Sequence, residues 1–272
     1  MVFYRYMRSH WLETLKDGHF KMAKISDFND PFDGRGRCVG RLSKEAVRNI
    51  AKESNAASWP MIEFADNIRA ADLTNKILDS IVETYTAGFY RDVQERHMVN
   101  RITYVLCFSA CNDNDPHQKL MWAHYADGYR GVRIGVRFDD PNFPFYLDSV
   151  KYCFERPVFD MSKVRSINND PEMLRFWISN LTTKSTEWAY EQEVRLVADD
   201  LQLEKGVDDN GKEAYFWQFA PQDIVSVDVG CQMPLDEVKK IVELRNSKYP
   251  QMMIRKVVLN VADYGISYKK LI

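Results

Sequence analysis

The stretch Glu187 to Val197, EWAYEQEVRLV, sets two carboxylates and a guanidinium at alternate positions. Read as a strand over Tyr190 to Ala198, its period of two puts Glu191, Glu193 and Arg195 on one face. Tyr190, Gln192, Val194 and Leu196 take the other. Neighbours on one strand face lie ~7 Å apart, so two carboxylates there raise at least one pKa unless a cation or ligand sits between them. That setting suits acid/base chemistry. The alternative is an exposed strand face on which Arg195 neutralises its neighbours.

Other polar residues are placed where elements end. In SDFNDPFDGRGR, the residues Asn29, Asp30, Pro31 and Asp33 are strong turn formers, and their polar side chains can turn towards a ligand or simply close the turn. The run ITYVLCFSA, residues 102 to 110, reads as a central buried strand ending at Ser109. Its following loop, CNDNDPHQ, is acidic but lacks the D-x-D-x-D-G-x5-E spacing of a calcium loop. KLMWAHYADG then reads as a short helix ending at Gly128. On it Met121, Trp122 and Tyr125 have core character, and His124 is polar enough to hold as a site candidate. His97 reads as structural or solvated.

These residues must be positioned by alternating strands and helices. VFYRY is a β-prone opening with Arg5 opposite Tyr4 and Tyr6, followed by the helix HWLETLKDG, capped by Ser9 and stopped by Gly18, with Trp11 or Leu12 and Leu15 facing the core. HFKMAKI is a second strand. Residues 43–98 turn helical and read as an insertion within a single domain over 1–272. GVRIGVRF and LDSVKYCF are strands, MSKVRSINNDPEMLRFWISNLTTK a helix interrupted by Pro171, and KGVDDNGKEAYFWQF a hairpin turning at Asn210 and Gly211. APQDIVSVDVG (strand), PLDEVKKIVELRNSKY (amphipathic helix), QMMIRKVVL (strand) and YGISYKKLI (edge strand) close the chain. The class is α+β with a mixed or antiparallel sheet.

Composition narrows the functional classes. With 272 residues, 45% hydrophobic and 13% aromatic, the chain can bury a substantial core. Its 37 basic and 39 acidic residues leave no global footprint of a polyanion binder. Five cysteines (Cys38, Cys107, Cys111, Cys153, Cys231) without C-x-x-C spacing argue against a disulfide framework and a structural zinc site, and point to a reducing cytoplasm. No apolar run approaches the ~20 residues of a membrane span, so no membrane is expected as a partner.

Several segments together resemble one bacterial family, the domain of unknown function numbered 2971, some of whose members are abortive-infection components of phage resistance. They are YRY, FNDPFD, CFS, MWAHYADGYRGVRIGV, WAYEQEVRL and PQDIVSVDVG, in that order along nearly the whole chain. More distantly, strand-Arg, helix, strand, strand-Ser and a strand carrying E-x-E resembles the layout of ADP-ribosyltransferases, a mixed α+β fold that binds NAD in a cleft between small sheets. That resemblance implies that Arg5, with Tyr6 beside it, holds NAD phosphate or ribose, and that Ser109 supports the nicotinamide-side ribose. Glu193 would hold the ribose 2′-hydroxyl and stabilise the loosening C–N bond, and Glu191 would orient or deprotonate an acceptor, protein or nucleic acid. The chain departs from the layout at the S-T-S triplet, here FSA. Asn29, Asp30, Asp33, Trp122, His124, Tyr125 and Arg195 are then expected as substrate contacts around the same cleft.

Three functions follow: a NAD-consuming transferase acting in defence or toxicity, with no metal; a magnesium nuclease using Asp30, Asp33, Glu191 and Glu193; or a non-catalytic sensor or interaction module whose polar cluster is an internal ion network.

Overall fold

The computed structural model describes residues 1–8, 11–53, 75–94, 103–139, 143, 145–165, 171–208 and 210–272. The cap at Ser9, the lone His97 and the WPMIEFADNIRAADLT part of the helical insertion lie outside them. The strands, in chain order, are β1 (Val2–Met7), β2 (His19–Met22), β3 (Arg37–Val39), β4 (Thr103–Ser109) and β5 (Val132–Arg137). Then come β6 (Tyr146–Ser149), β7 (Lys151–Cys153), β8 (Val158–Asp160), β9 (Thr183–Ser185) and β10 (Glu193–Asp199). The last five are β11 (Glu204–Val207), β12 (Glu213–Gln218), β13 (Ile224–Val229), β14 (Met253–Leu259) and β15 (Ile266–Lys270).

The chain forms two compact units. One comprises Met1–Lys24, Ile102–Val150 and Thr186–Ile272. Its main sheet runs β15-β14-β13-β5-β1-β4-β10-β6, with β11-β12-β2 as a second sheet. All neighbours in the large sheet are antiparallel except β13 and β14, which the helix Leu235–Ser247 connects as a parallel pair. A parallel pair requires such a crossover. One face of this sheet is apolar because β4, β5, β10 and β13 place Leu106, Phe108, Ile134, Val136, Val194, Leu196 and Val227 there by their period of two. Trp11 and Leu15 of the first helix and Trp217 of β12 pack into that same core. Its helix stops where expected: Gly18, at φ +82°, donates its N–H to the Thr14 carbonyl at 2.9 Å.

The other unit comprises Ile25–Arg101 and Lys151–Ser185 and contains the described insertion helices Lys44–Glu53 and Asn75–Gln94. Two parallel strand pairs, β3 with β8 and β7 with β9, flank the helix Pro171–Leu181 in sequence. Its core joins Val82, Tyr85 and Phe89 to Phe159, Met161 and Phe176.

Several boundaries differ from expectation. The strand expected from Tyr190 starts only at Glu193, because Thr186–Glu191 is a 3₁₀ helix and Gln192 has φ +44°. HFKMAKI pairs as a strand only to Met22; Ala23 bridges to Val105, and Ile25–Asp27 turns into a 3₁₀ helix. LDSVKYCF is two strands, since Val150 N–H goes to the Glu193 carbonyl whereas Lys151 N–H goes to that of Thr182. Pro171 opens a helix instead of interrupting one, the position where its missing N–H has no intrahelical partner to lose. Between β11 and β12 the last pair is Val207 with Glu213, so the hairpin loop is longer than two residues.

Tight backbone contact at the end of β13 gives a direct test of this packing. A Cβ on Gly230 would lie 1.9 Å from the Tyr129 carbonyl oxygen, and backbone cannot move aside as a flexible side chain can. Gly230→Ala should therefore destabilise the protein by ~1–3 kcal/mol in chemical denaturation; an unchanged midpoint would refute the contact.

Candidate functional site

Tyr4, Ser109 and Glu193 are successive cross-strand partners on β1, β4 and β10, and partners in register share a face. Tyr4 with Ser109 is the one registered pair between β1 and β4, and Val105 further along β4 bridges to Ala23 instead. Arg5 occupies the place where pairing stops. Its Nη1 donates to the Cys107 carbonyl at 2.7 Å, and its buried Nε has no partner among the described residues. Burial lowers the Arg5 pKa, while Cys107 and the Glu193 charge oppose that, which places the guanidinium within electrostatic reach of Glu193.

Ser109 is 1% exposed, and its Oγ donates to the Glu191 carbonyl at 2.6 Å while accepting the Cys111 N–H at 3.2 Å. Ala110 N–H binds the Gln192 carbonyl at 2.8 Å. Together they hold the reversal that separates Glu191 from β10, and this is why the simple alternation through Glu191 fails. A non-glycine residue in the left-handed region is held there by its surroundings.

Glu193 and Arg195 do share a strand face, and both are buried. Arg195 clasps Glu193 through two bonds, Nε to Oε1 at 2.8 Å and Nη2 to Oε2 at 3.0 Å. Such a fork is a strong pairing geometry. Glu191, also buried, accepts from the Tyr125 hydroxyl at 2.5 Å. Tyr125 and His124 lie on the helix Gln118–Tyr125, where the exposed His124 meets the Tyr190 hydroxyl through Nδ1 at 3.0 Å. Trp122, on the same helix, is fully buried and donates to the Tyr268 hydroxyl at 3.0 Å. Tyr6 packs edge-on against it, and burial carries the Tyr6 pKa well above its ordinary value against the opposing Arg133 charge.

Asn29, Asp30 and Asp33 belong to the other unit. Asn29 is exposed. Asp30 accepts the Phe32 N–H at 2.9 Å, as a turn-forming aspartate does, and Asp33 lies 3.9 Å from Lys184. Among the described residues, no three His, Cys, Asp or Glu side chains come together as a metal-ligand group.

A second ionic group, which the spacing within any one segment does not reveal, ties three strands together. Asp228 on β13 binds Arg133 of β5 through Oδ2 at 2.7 Å and Arg255 of β14 at 2.6 and 2.9 Å. Asp113 binds both arginines as well, at 2.6 and 2.5 Å. The Arg133 guanidinium is 0% exposed and lies 4.1 Å from both the Tyr4 and Tyr268 rings. Two arginines and two aspartates balance in charge, so this group is a structural clasp across three strands. Its signal was present: VRIGV, SVDVG and MIRKVV each carry a charge inside an apolar strand run.

Burial acts to raise Asp113, but the hydrogen bonds and charges of Arg133 and Arg255 outweigh it and lower its pKa. A carboxyl depressed in the folded state stabilises above its unfolded pKa of ~3.9 and loses that stabilisation as pH falls through the lower native value. Stability of the wild type should thus fall more steeply below about pH 4 than that of Asp113→Asn, as denaturation midpoints across pH will show.

A family model described as "Protein of unknown function (DUF2971)" matches residues 121–196. This span includes His124, Tyr125, Arg133, Glu191 and Glu193 and supports the family resemblance carried by MWAHYADG and WAYEQEVRL. No curated protein and no solved structure matches the chain. Among the described residues, no helix is long and apolar enough to cross a membrane.

Proposed function

We propose that the sheet formed by β1, β4 and β10 carries an ADP-ribosyltransferase-like site that takes NAD as its substrate. The observation that supports this is the strand order β1-β4-β10, which sets Ser109 in register with Glu193 and puts Arg5 on the adjoining strand within electrostatic reach of Glu193, the residue types and strand order of that layout. Arg5 offers its unpartnered Nε–H to an oxygen of the NAD diphosphate or ribose. Ser109 shapes the site indirectly by holding the Glu191 carbonyl.

Arg195 clasps the Glu193 carboxylate through two bonds and fixes its position beside Ser109. In the transfer, the bond from ribose C1′ to nicotinamide nitrogen breaks with its electron pair leaving on nicotinamide, and an acceptor oxygen or nitrogen bonds to C1′. Glu193 stabilises the positive charge that develops between these events. Glu191, held by Tyr125, takes the acceptor proton. The acceptor is a protein or nucleic acid in the cytoplasm, and the abortive-infection members of the resembled family support a role in bacterial phage defence or toxicity.

A second reading has its own observation. The two bonds from Arg195 to a buried Glu193 are equally what a non-catalytic interaction module needs for internal cohesion. Thermal melting with NAD separates the two. Under the transferase reading, millimolar NAD raises the melting temperature of the wild type and raises that of Arg5→Lys less, because a lysine cannot present the fork. No shift in the wild type would reject that reading.

A further inference from the structure

We propose that the open edge of β15 takes an extended, acidic segment of a partner protein as an added strand of the large sheet. β15 ends that sheet and is paired on one side, to β14; among the described residues no strand pairs with its other side. Hydrogen bonds in an antiparallel pair join alternate residues. Asn260 donates to the Gly265 carbonyl at 3.0 Å and Leu271 to that of Ile254 at 2.9 Å, so by this alternation Ser267 and Lys269 turn their backbone groups to β14. Those of Ile266, Tyr268 and Lys270 turn to the open side. Their N–H and C=O groups form the ladder that a guest strand needs, and such main-chain bonds supply affinity while side chains supply selectivity.

The side chains of the edge set the sign of the guest. In the register of β14 with β15, Lys256 stands directly opposite Lys269 and Arg255 opposite Lys270. Like charges in cross-strand pairs destabilise a sheet. Arg255 is answered by Asp228 and Asp113, whereas Lys256, Lys269 and Lys270 have no ion-pair partner among the described residues. Asp263, the one carboxylate among residues 253–270, is taken up by its turn, accepting the Gly265 N–H at 2.7 Å and the Asn260 amide at 2.9 Å.

Lysines on an open edge deter pairing with a second copy of the same edge, and the same charges favour a guest of opposite sign. Being consecutive, Lys269 and Lys270 project to opposite faces of the sheet, so a guest that answers both carries neighbouring carboxylates. Exposed Val258, opposite Ser267, and exposed Leu271 flank the lysines, which suits apolar residues beside those carboxylates.

The site does not rest on the NAD reading, and its test contains no NAD. A labelled peptide with blocked ends, TVEEVT, would be titrated into the full chain by fluorescence anisotropy, beside TVKKVT, TPEEPT and a short oligothymidine. TVEEVT should bind saturably, and TVKKVT at least ~tenfold more weakly because like charges then meet across the interface. TPEEPT keeps the charges but lacks two ladder donors, and should also bind more weakly. On binding TVEEVT, hydrogen exchange should slow at Ile266, Tyr268 and Lys270, the amides that face the guest. Lys269→Glu combined with Lys270→Glu, at two exposed positions, should keep the fold by circular dichroism and shift the preference to TVKKVT. No saturable binding of TVEEVT, equal binding of TPEEPT, oligothymidine binding in its place, unchanged exchange at the three amides, or a folded double variant that still prefers TVEEVT would overturn the proposal.

Discussion

Asp228→Ala is expected to cost ~3–5 kcal/mol of stability, the largest loss of any single substitution considered for this chain. Asp228 is the one carboxylate that sits wholly inside the clasp, with both oxygens bound and 0% exposure. Removing it leaves Arg133, itself 0% exposed, with part of its charge uncompensated in a setting from which it cannot reach water. Asp113 remains as a counter-charge but cannot replace the bond to Arg133 Nε or the pair to Arg255. The Lys240 to Glu237 pair on the helix surface is the control: Glu237→Ala removes a solvent-exposed ion pair and should cost under ~1 kcal/mol. Urea denaturation followed by tryptophan fluorescence would compare them. A loss for Asp228→Ala no larger than that for Glu237→Ala would show that the clasp does not hold β5, β13 and β14 together.

Glu193→Gln should reduce NAD consumption by at least ~100-fold, the effect of removing one group that stabilises developing transition-state charge. The substitution keeps the size of the side chain and one acceptor oxygen, so Arg195 Nε or Nη2 retains a partner, and the fold should survive. Arg195→Met acts differently. It strips the clasp from a buried carboxylate and is expected to destabilise the sheet, with any loss of activity following the loss of fold. If Glu193→Gln destabilises as much as Arg195→Met and changes no activity, the pair is an internal ion bridge alone and the interaction-module reading stands.

Much of the scaffold was legible in the residues. Apolar runs such as YVLCF and VRIGV led to buried strands because burial on a sheet leaves little room for polar side chains, and Gly18 marked a helix end through its positive φ. Periodicity failed where tertiary hydrogen bonds took over. Glu191 fits the alternation of β10 in sequence, yet Ser109 and Ala110, more than eighty residues away, capture the Glu191 and Gln192 carbonyls and turn the chain before the strand begins. Local pattern carries no information about such a distant donor.

The site was legible in part for the same reason. Strand order brings Ser109 beside Glu193 and leaves Arg5 at the point where β1 and β4 cease to pair. That Arg195 would spend two bonds on Glu193 followed from their spacing as a possibility, and only packing decided it. The clasp of Arg133, Asp228 and Arg255 is not visible in any one segment, because its charges come from three strands far apart in sequence. Set inside apolar runs on three different strands, the charges are better read together, since a buried charge requires a partner.

Transfer from NAD is tested most directly by nicotinamide release when the purified full chain is incubated with millimolar NAD, with and without candidate acceptors. Wild-type protein should release nicotinamide, and a folded Glu193→Gln should not. Wild-type protein that neither binds NAD nor liberates nicotinamide would contradict it.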